Sequence, residues 1–137
     1  MERMKTHLMF PSPVFECSIK DHEELNLELI KYIYELREKN KEGLDLSNSG
    51  DGWHSPYFEI SKNDVLKKFI SKIFPFIFEI STKEYGWDCT PEKIRITGMW
   101  SVINSKNSYN LRHFHPNCNL SAAYYVKAKE KCGNIKF

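Results

Sequence analysis

The chain has 137 residues, of which 41% are hydrophobic and 14% aromatic, so it is large enough to bury a core and its composition excludes a disordered protein. The formal net charge is only +2, and the lysines are scattered among acidic and apolar residues, so we expect no nucleic-acid partner. No apolar run reaches the roughly 20 residues of a membrane span. Four widely spaced cysteines without a CxxC motif favour reduced thiols and a cytoplasmic location.

The first two thirds of the chain predict two helices joined by a loop. Residues 8–19, which contain two prolines, predict an extended N-terminal segment. Asp21 is the expected N-cap of a first helix that ends near Lys39 and Asn40. Its apolar face recurs at helical spacing and comprises Leu25, Leu29, Tyr32, Ile33 and Leu36. Residues 41–56 predict a loop rich in glycine, serine and asparagine.

A second helix is expected to start from a cap near Ser61 or Asn63. Its apolar face is wide and typical of a core-facing helix, with Val65, Leu66, Phe69, Ile70, Ile73, Phe74, Ile77 and Phe78. Pro75 should kink this helix or break it. Residues 84–92 predict a further loop, which contains Trp87.

From Lys93 the hydrophobic period changes to two, which predicts strands over residues 93–102, 110–115 and 120–127 and the start of another at Asn134. The sequence therefore predicts an α+β fold in which N-terminal helices pack on an antiparallel sheet. We expect a single domain over residues 1–137, with a helical part at 1–92 and a strand part at 93–137.

Two histidines, His113 and His115, stand two residues apart just upstream of a strand-like run. On an extended chain, residues i and i+2 point to the same face, so both imidazoles would aim at one point. Two convergent imidazoles make half of a metal site. The alternative is that both histidines are hydrogen-bonded packing residues of a half-buried strand.

Upstream aromatic residues allow two interpretations. Trp53 and His54 follow two glycines, so they are either part of a surface turn pinned by the tryptophan or part of a lid over a site, with Trp100 as a further candidate on the substrate side. His54 is also a candidate for a third imidazole ligand.

Longer motifs resemble a known family. The segment 113–126, His-Phe-His-Pro-Asn-x-x-Leu-Ser-Ala-Ala-Tyr-Tyr-Val, followed by Gly-Asn-Ile-Lys-Phe at 133–137, resembles the front half of a 2-oxoglutarate- and iron(II)-dependent oxygenase of the prolyl-hydroxylase-like type. The closer resemblance is to the oxygenases of marine bacteria and phages. It rests on the loop Ser-Asn-Ser-Gly-Asp-Gly-Trp-His-Ser at 47–55, on Trp100, and on Asn-Leu-Arg-His-Phe-His-Pro at 110–116.

The resemblance implies a double-stranded β-helix, or jelly roll, that is incomplete in this chain. It implies Fe(II) and 2-oxoglutarate as cofactors, with ascorbate as an optional addition. His113 would be the first metal ligand, and His115 stands where the family has a carboxylate, which implies an all-histidine site or one completed by Asn117 or water. Tyr125 and Asn110 would bind the keto acid.

The family's last histidine ligand and its basic keto-acid-binding residue lie on later strands that are not found here. We therefore expect this chain to be the N-terminal portion of a longer hydroxylase, with an open sheet edge that a homodimer would cover. The sequence does not distinguish a protein side chain, a nucleotide or a small metabolite as substrate.

Two other classes of function stay open at this stage. One is a non-catalytic β-sandwich or cupin-like binding module in which His113 and His115 are structural or bind zinc. The other is a nucleic-acid-binding accessory protein that uses scattered lysines and exposed aromatic residues.

Overall fold

The computed structural model describes residues 12–136 and has an α+β fold, as predicted. The two main helices are α1 (Glu23–Lys39) and α2 (Asp64–Glu79), and four short strands are β1 (Asn48–Ser49), β2 (Trp53–His54), β3 (Val102–Ile103) and β4 (Tyr109–Asn110). Single 3₁₀ turns occur at Ile60–Lys62 and Pro91–Lys93, and a π-helical turn covers Ile80–Glu84. Of the predicted extended N-terminal segment, residues 8–11 lie outside the described part, and residues 12–19 form no helix or strand.

Helix α1 ends at Lys39, as predicted, but begins differently from the prediction. Its N-cap is His22, which makes no side-chain capping bond, and Asp21 precedes it with a φ of +50°. Asp21 is therefore not the cap, because it occupies a left-handed turn position two residues before the first residue of the helix. Glu23 and Glu24 lie in the first turn, where their negative charges interact favourably with the positive end of the helix dipole.

Helix α2 is capped by Asn63, one of the two predicted candidates, whose side-chain oxygen accepts a 3.0 Å hydrogen bond from the backbone N–H of Leu66. The helix continues through Pro75 to Glu79, so the prediction of a break there is wrong. Beyond Glu79 the helix widens into the π-helical turn, and Ser81 and Thr82 donate their hydroxyls at 2.8 Å to the carbonyls four residues upstream.

Replacing Asn63 with alanine is expected to lower the free energy of unfolding by about 1 kcal/mol, because the N–H of Leu66 would lose its acceptor. Chemical denaturation followed by circular dichroism would measure this loss. Ser61→Ala is the matched control, because Ser61 is the competing cap candidate and lies outside the helix. An equal effect of both substitutions would contradict the assignment of Asn63 as the cap.

The core lies between the two main helices and the loop that joins them. Leu66, on α2, is fully buried and belongs to a cluster with Ile19, Leu25, Leu29, Ile33, Trp53 and Phe69. The C-terminal part of the chain joins this core through Tyr124, whose ring packs on Phe69 at 4.9 Å and whose hydroxyl donates to the side-chain oxygen of Asn26 at 2.7 Å. Burial raises the pKa of Tyr124, which keeps the phenol protonated as a donor.

The strands form two separate antiparallel pairs, each joining the predicted loop to the C-terminal half. In one pair β1 lies against β4, with Asn48 opposite Asn110; in the other β2 lies against β3, with His54 opposite Val102. Residues 41–56 are therefore not only a loop, because they supply β1 and β2. The alternating hydrophobic pattern from Lys93 onward did not predict that β3 and β4 pair with β2 and β1, because the paired strands lie far apart in the sequence.

Most of the predicted strand length is not observed in the described residues. Between residues 93 and 136 the strands are limited to β3 and β4, and the ranges 111–115, 120–127 and 134–136 contain none. Alternating burial is seen in two places: Ile94 and Ile96, and again Tyr124 and Val126, are half-buried while their sequence neighbours are exposed. A strand needs a hydrogen-bonded neighbour, and within residues 12–136 the long-range backbone partners of this region all lie along residues 47–58. The part of the chain described here forms no double-stranded β-helix.

Within residues 12–136, every helix is too short or too polar to cross a membrane. All four cysteines are free thiols.

Candidate metal centre

The two strand pairs bring together the sequence motifs that lie on either side of α2. Beyond β4, the N–H of Leu111 donates to the carbonyl of Ser47 at 2.6 Å. Beyond β2, the N–H of Ser55 donates to the carbonyl of Ser101 at 2.9 Å, and the N–H of Phe58 donates to the carbonyl of Met99 at 2.8 Å. Residues 47–58 therefore lie against the backbone on both sides of Trp100 and directly upstream of the histidine pair.

His113 and His115 meet at their Nε2 atoms, which lie 3.0 Å apart. The ring centroids are 5.0 Å apart with an interplanar angle of 37°. His113 is exposed and His115 is half-buried, and the chain turns away immediately afterwards at Pro116 and Asn117. The two imidazoles thus converge, although residues 111–115 are not part of a paired strand.

With both rings neutral, the hydrogen bonds of this pair are consistent with one set of tautomers. The Nδ1 of His113 faces the carbonyl of Leu111 at 2.8 Å, so it must donate, which leaves the Nε2 of His113 with a lone pair. The Nε2 of His115 must then donate to His113. The Nδ1 of His115 accepts from the hydroxyl of Ser121, with which it is in hydrogen-bond contact.

This arrangement fits two ligand positions of one metal ion. Two nitrogens about 2.1 Å from an ion and about 90° apart lie about 3.0 Å from each other, which is the Nε2–Nε2 separation observed. His113 already presents its lone pair and is held from behind by a backbone carbonyl, as metal-bound histidines usually are. For His115, the proton would move to Nδ1 and the hydroxyl of Ser121 would turn to accept it.

Within residues 12–136, no cluster of three or more histidine, cysteine or acidic side chains is placed to hold a metal. The proposal of His54 as a third imidazole is therefore wrong for this part of the chain. His54 is 2% exposed, its Nδ1 lies 2.7 Å from the carbonyl of Ser55, and its ring stacks on Trp100, which also contacts His115. Asn117 is exposed in the turn with a φ of +61°, a conformation that asparagine tolerates well.

The three lid candidates have different environments. Trp53 is buried in the core and donates its indole N–H to the carbonyl of Asn40 at 2.8 Å, which is the position of a packing residue. His54 is buried beside it. Trp100 is half-buried and contacts His115 edge-on, with centroids 5.2 Å apart and rings at 77°. Of the three, Trp100 touches the histidine pair, and a role toward substrate stays a prediction for all of them.

The two candidate keto-acid ligands are exposed. Tyr125 is 59% exposed, whereas its neighbour Tyr124 faces the core. Asn110 is exposed on β4, opposite Asn48. Their binding roles stay predictions.

Two residues of the site were missed by the sequence reasoning. Ser121 contacts the Nδ1 of His115, and the edge of the Tyr57 ring packs against Trp100, with centroids 5.3 Å apart and rings at 78°. Ser121 lies across the turn from His115, so a signal for it existed in the hairpin-like spacing. Nothing in the local pattern around Tyr57 indicated its partner.

A family model described as "Putative 2OG-Fe(II) oxygenase" matches residues 98–137. The matched range contains Trp100, both histidines, Ser121 and Tyr125. No curated protein and no solved structure matches the chain.

Proposed function

We propose that this protein is a non-haem Fe(II), 2-oxoglutarate-dependent oxygenase of the hydroxylase type, built on a double-stranded β-helix. The observation that carries the proposal is the pair of Nε2 atoms 3.0 Å apart at His113 and His115. The family match over residues 98–137 supports it, because it includes this pair.

In this proposal His113 and His115 hold the iron. When bound, Fe(II) and 2-oxoglutarate together activate dioxygen, so that the keto acid is oxidatively decarboxylated to succinate while the substrate is oxidised. The carbonyl of Leu111 holds the Nδ1 of His113, and the hydroxyl of Ser121 is the hydrogen-bond partner of the Nδ1 of His115. Tyr125 and Asn110 are the proposed contacts to the keto acid. Because both ligands are neutral imidazoles, the metal centre keeps more positive charge than one with a carboxylate.

Anaerobic titration of the protein with Fe(II) and 2-oxoglutarate tests the proposal. We expect a weak visible charge-transfer band from the chelated keto acid, and succinate formation after oxygen is admitted. A folded protein that binds Fe(II) without the band and forms no succinate would contradict the proposed function.

We also propose a cytoplasmic location, which the free thiols support.

The second candidate is a non-catalytic zinc-binding module. The observation that favours it is that the described pair consists of two imidazoles without a carboxylate, a donor set that zinc accepts readily. The same titration separates the two candidates, because zinc binding in the absence of any keto-acid band or succinate is expected only for this second one.

A further inference from the structure

We propose that Trp100 is a positioning residue that fixes the ring orientation of His115 for metal binding. This inference rests on the proposed role of His115 as a ligand. It assigns to the indole a structural task within the centre and does not require contact with substrate.

His115 needs such support because its polar contacts are weakly anchored. Its two hydrogen bonds run to the exposed residues His113 and Ser121. The segment that carries it has left the β1–β4 pair at Asn110, and it turns at Pro116. The hydroxyl of Ser121 can donate to or accept from the Nδ1 of His115, so it can pair with either tautomer. This single hydrogen bond therefore does not define the tilt of the imidazole.

Trp100, in contrast, is held on two sides. One side of the indole stacks on His54, with centroids 5.6 Å apart and an interplanar angle of 16°, and the edge of Tyr57 packs against it. Gly98 leaves room for this tyrosine ring, since an added Cβ there would lie 3.1 Å from it. His54 is itself buried and fixed by strand β2.

The backbone on either side of Trp100 is fixed as well. The carbonyl of Met99 accepts from Phe58, the carbonyl of Ser101 accepts from Ser55, and the N–H of Ser101 donates to the Ser55 hydroxyl at 2.9 Å. The indole is thus a rigid surface between the core and the histidine pair. Its 77° edge-on contact with His115 is a favourable aromatic geometry that allows the imidazole few tilts.

Cobalt(II) titration in the absence of oxygen tests this role, because its visible spectrum reports coordination as well as affinity. The chain carrying Trp100→Leu is expected to bind cobalt 10–100-fold more weakly than the unaltered protein, the loss typical of an outer-shell partner. Trp100→Phe keeps a ring against His115 and is expected to restore affinity to within about 3-fold with an unchanged spectrum. Trp87→Leu is the matched control, because that indole stacks on Tyr85 in another loop and should leave cobalt binding unchanged.

Tyr57→Leu supplies a second test that does not remove a core residue, since this tyrosine is 59% exposed. This substitution removes the aromatic contact that supports the Trp100 indole. It is expected to weaken cobalt binding about 3–10-fold, which is less than the effect expected of Trp100→Leu. Unchanged cobalt affinity in both Tyr57→Leu and folded Trp100→Leu would overturn the proposal. If Trp100→Leu does not fold, the cobalt affinity of Tyr57→Leu alone tests the positioning role.

Cobalt binding by the unaltered protein distinguishes a failure of the proposed metal centre from a failure of the positioning role of Trp100. If the unaltered protein binds no cobalt, the proposed metal centre fails and the positioning role fails with it. If it binds cobalt but the Trp100 and Tyr57 variants bind equally well, the positioning role alone fails.

Discussion

Replacing His113 with alanine is expected to abolish the charge-transfer band in the anaerobic titration with Fe(II) and 2-oxoglutarate. His113 is one of two described imidazoles that converge, and its Nε2 already carries the lone pair that a metal needs. Loss of a direct ligand should weaken metal binding by more than the 10–100-fold that loss of an outer-shell partner costs. Cobalt(II) affinity measured on the same variant gives this change as a number.

His22→Ala is the matched control for this experiment. His22 is also exposed and also turns its Nδ1 toward a backbone carbonyl, that of Ile19 at 3.0 Å, but it lies at the start of α1. Both substitutions are on the surface, so each should change the free energy of unfolding by no more than about 0.5 kcal/mol. A band that survives His113→Ala, or that His22→Ala removes equally, would show that the pair is not the metal centre.

Replacing Gly43 with alanine is expected to lower the free energy of unfolding by about 2–5 kcal/mol. The φ of Gly43 is +68°, which costs an alanine about 1–2 kcal/mol, and the added Cβ would lie 2.5 Å from the carbonyl oxygen of His54 and 2.7 Å from the indole of Trp53. Overpacking at such a contact adds about 1–3 kcal/mol. Urea denaturation of the variant measures the total.

Gly86→Ala separates the two contributions. Gly86 has nearly the same φ, +65°, but an added Cβ there would meet nothing within 4 Å. This variant should therefore lose only the conformational part, about 1–2 kcal/mol. Equal losses of unfolding free energy in the two variants would contradict the expected steric cost of a Cβ between Gly43 and strand β2.

The helices could be predicted because their signals are local. The apolar spacing of Leu25, Leu29 and Ile33 defines one face of α1, and Asn63 caps α2 with an amide that reaches its own first turn. Of the two outcomes predicted at Pro75, the break does not occur, because the helix continues to Glu79 despite the one hydrogen bond that proline removes; the kink stays a prediction. At the candidate site, the two-residue spacing of His113 and His115 predicted that the imidazoles converge, and they do, although the strand on which the prediction relied is not observed at residues 111–115.

The residues that surround the histidine pair could not be predicted from local sequence patterns. The pairing of β2 with β3 depends on contacts between residues far apart in the sequence, and it is this pairing that places His54 beneath Trp100 and Trp100 against His115. A period of two shows that a segment suits a sheet but not which neighbour supplies its hydrogen bonds, so most predicted strand length found no partner within residues 12–136. The two helices and the closeness of the two histidines depend on neighbouring residues and could be predicted from them. The surroundings of His115 depend on Trp100 and His54, which strand pairing brings from distant parts of the chain.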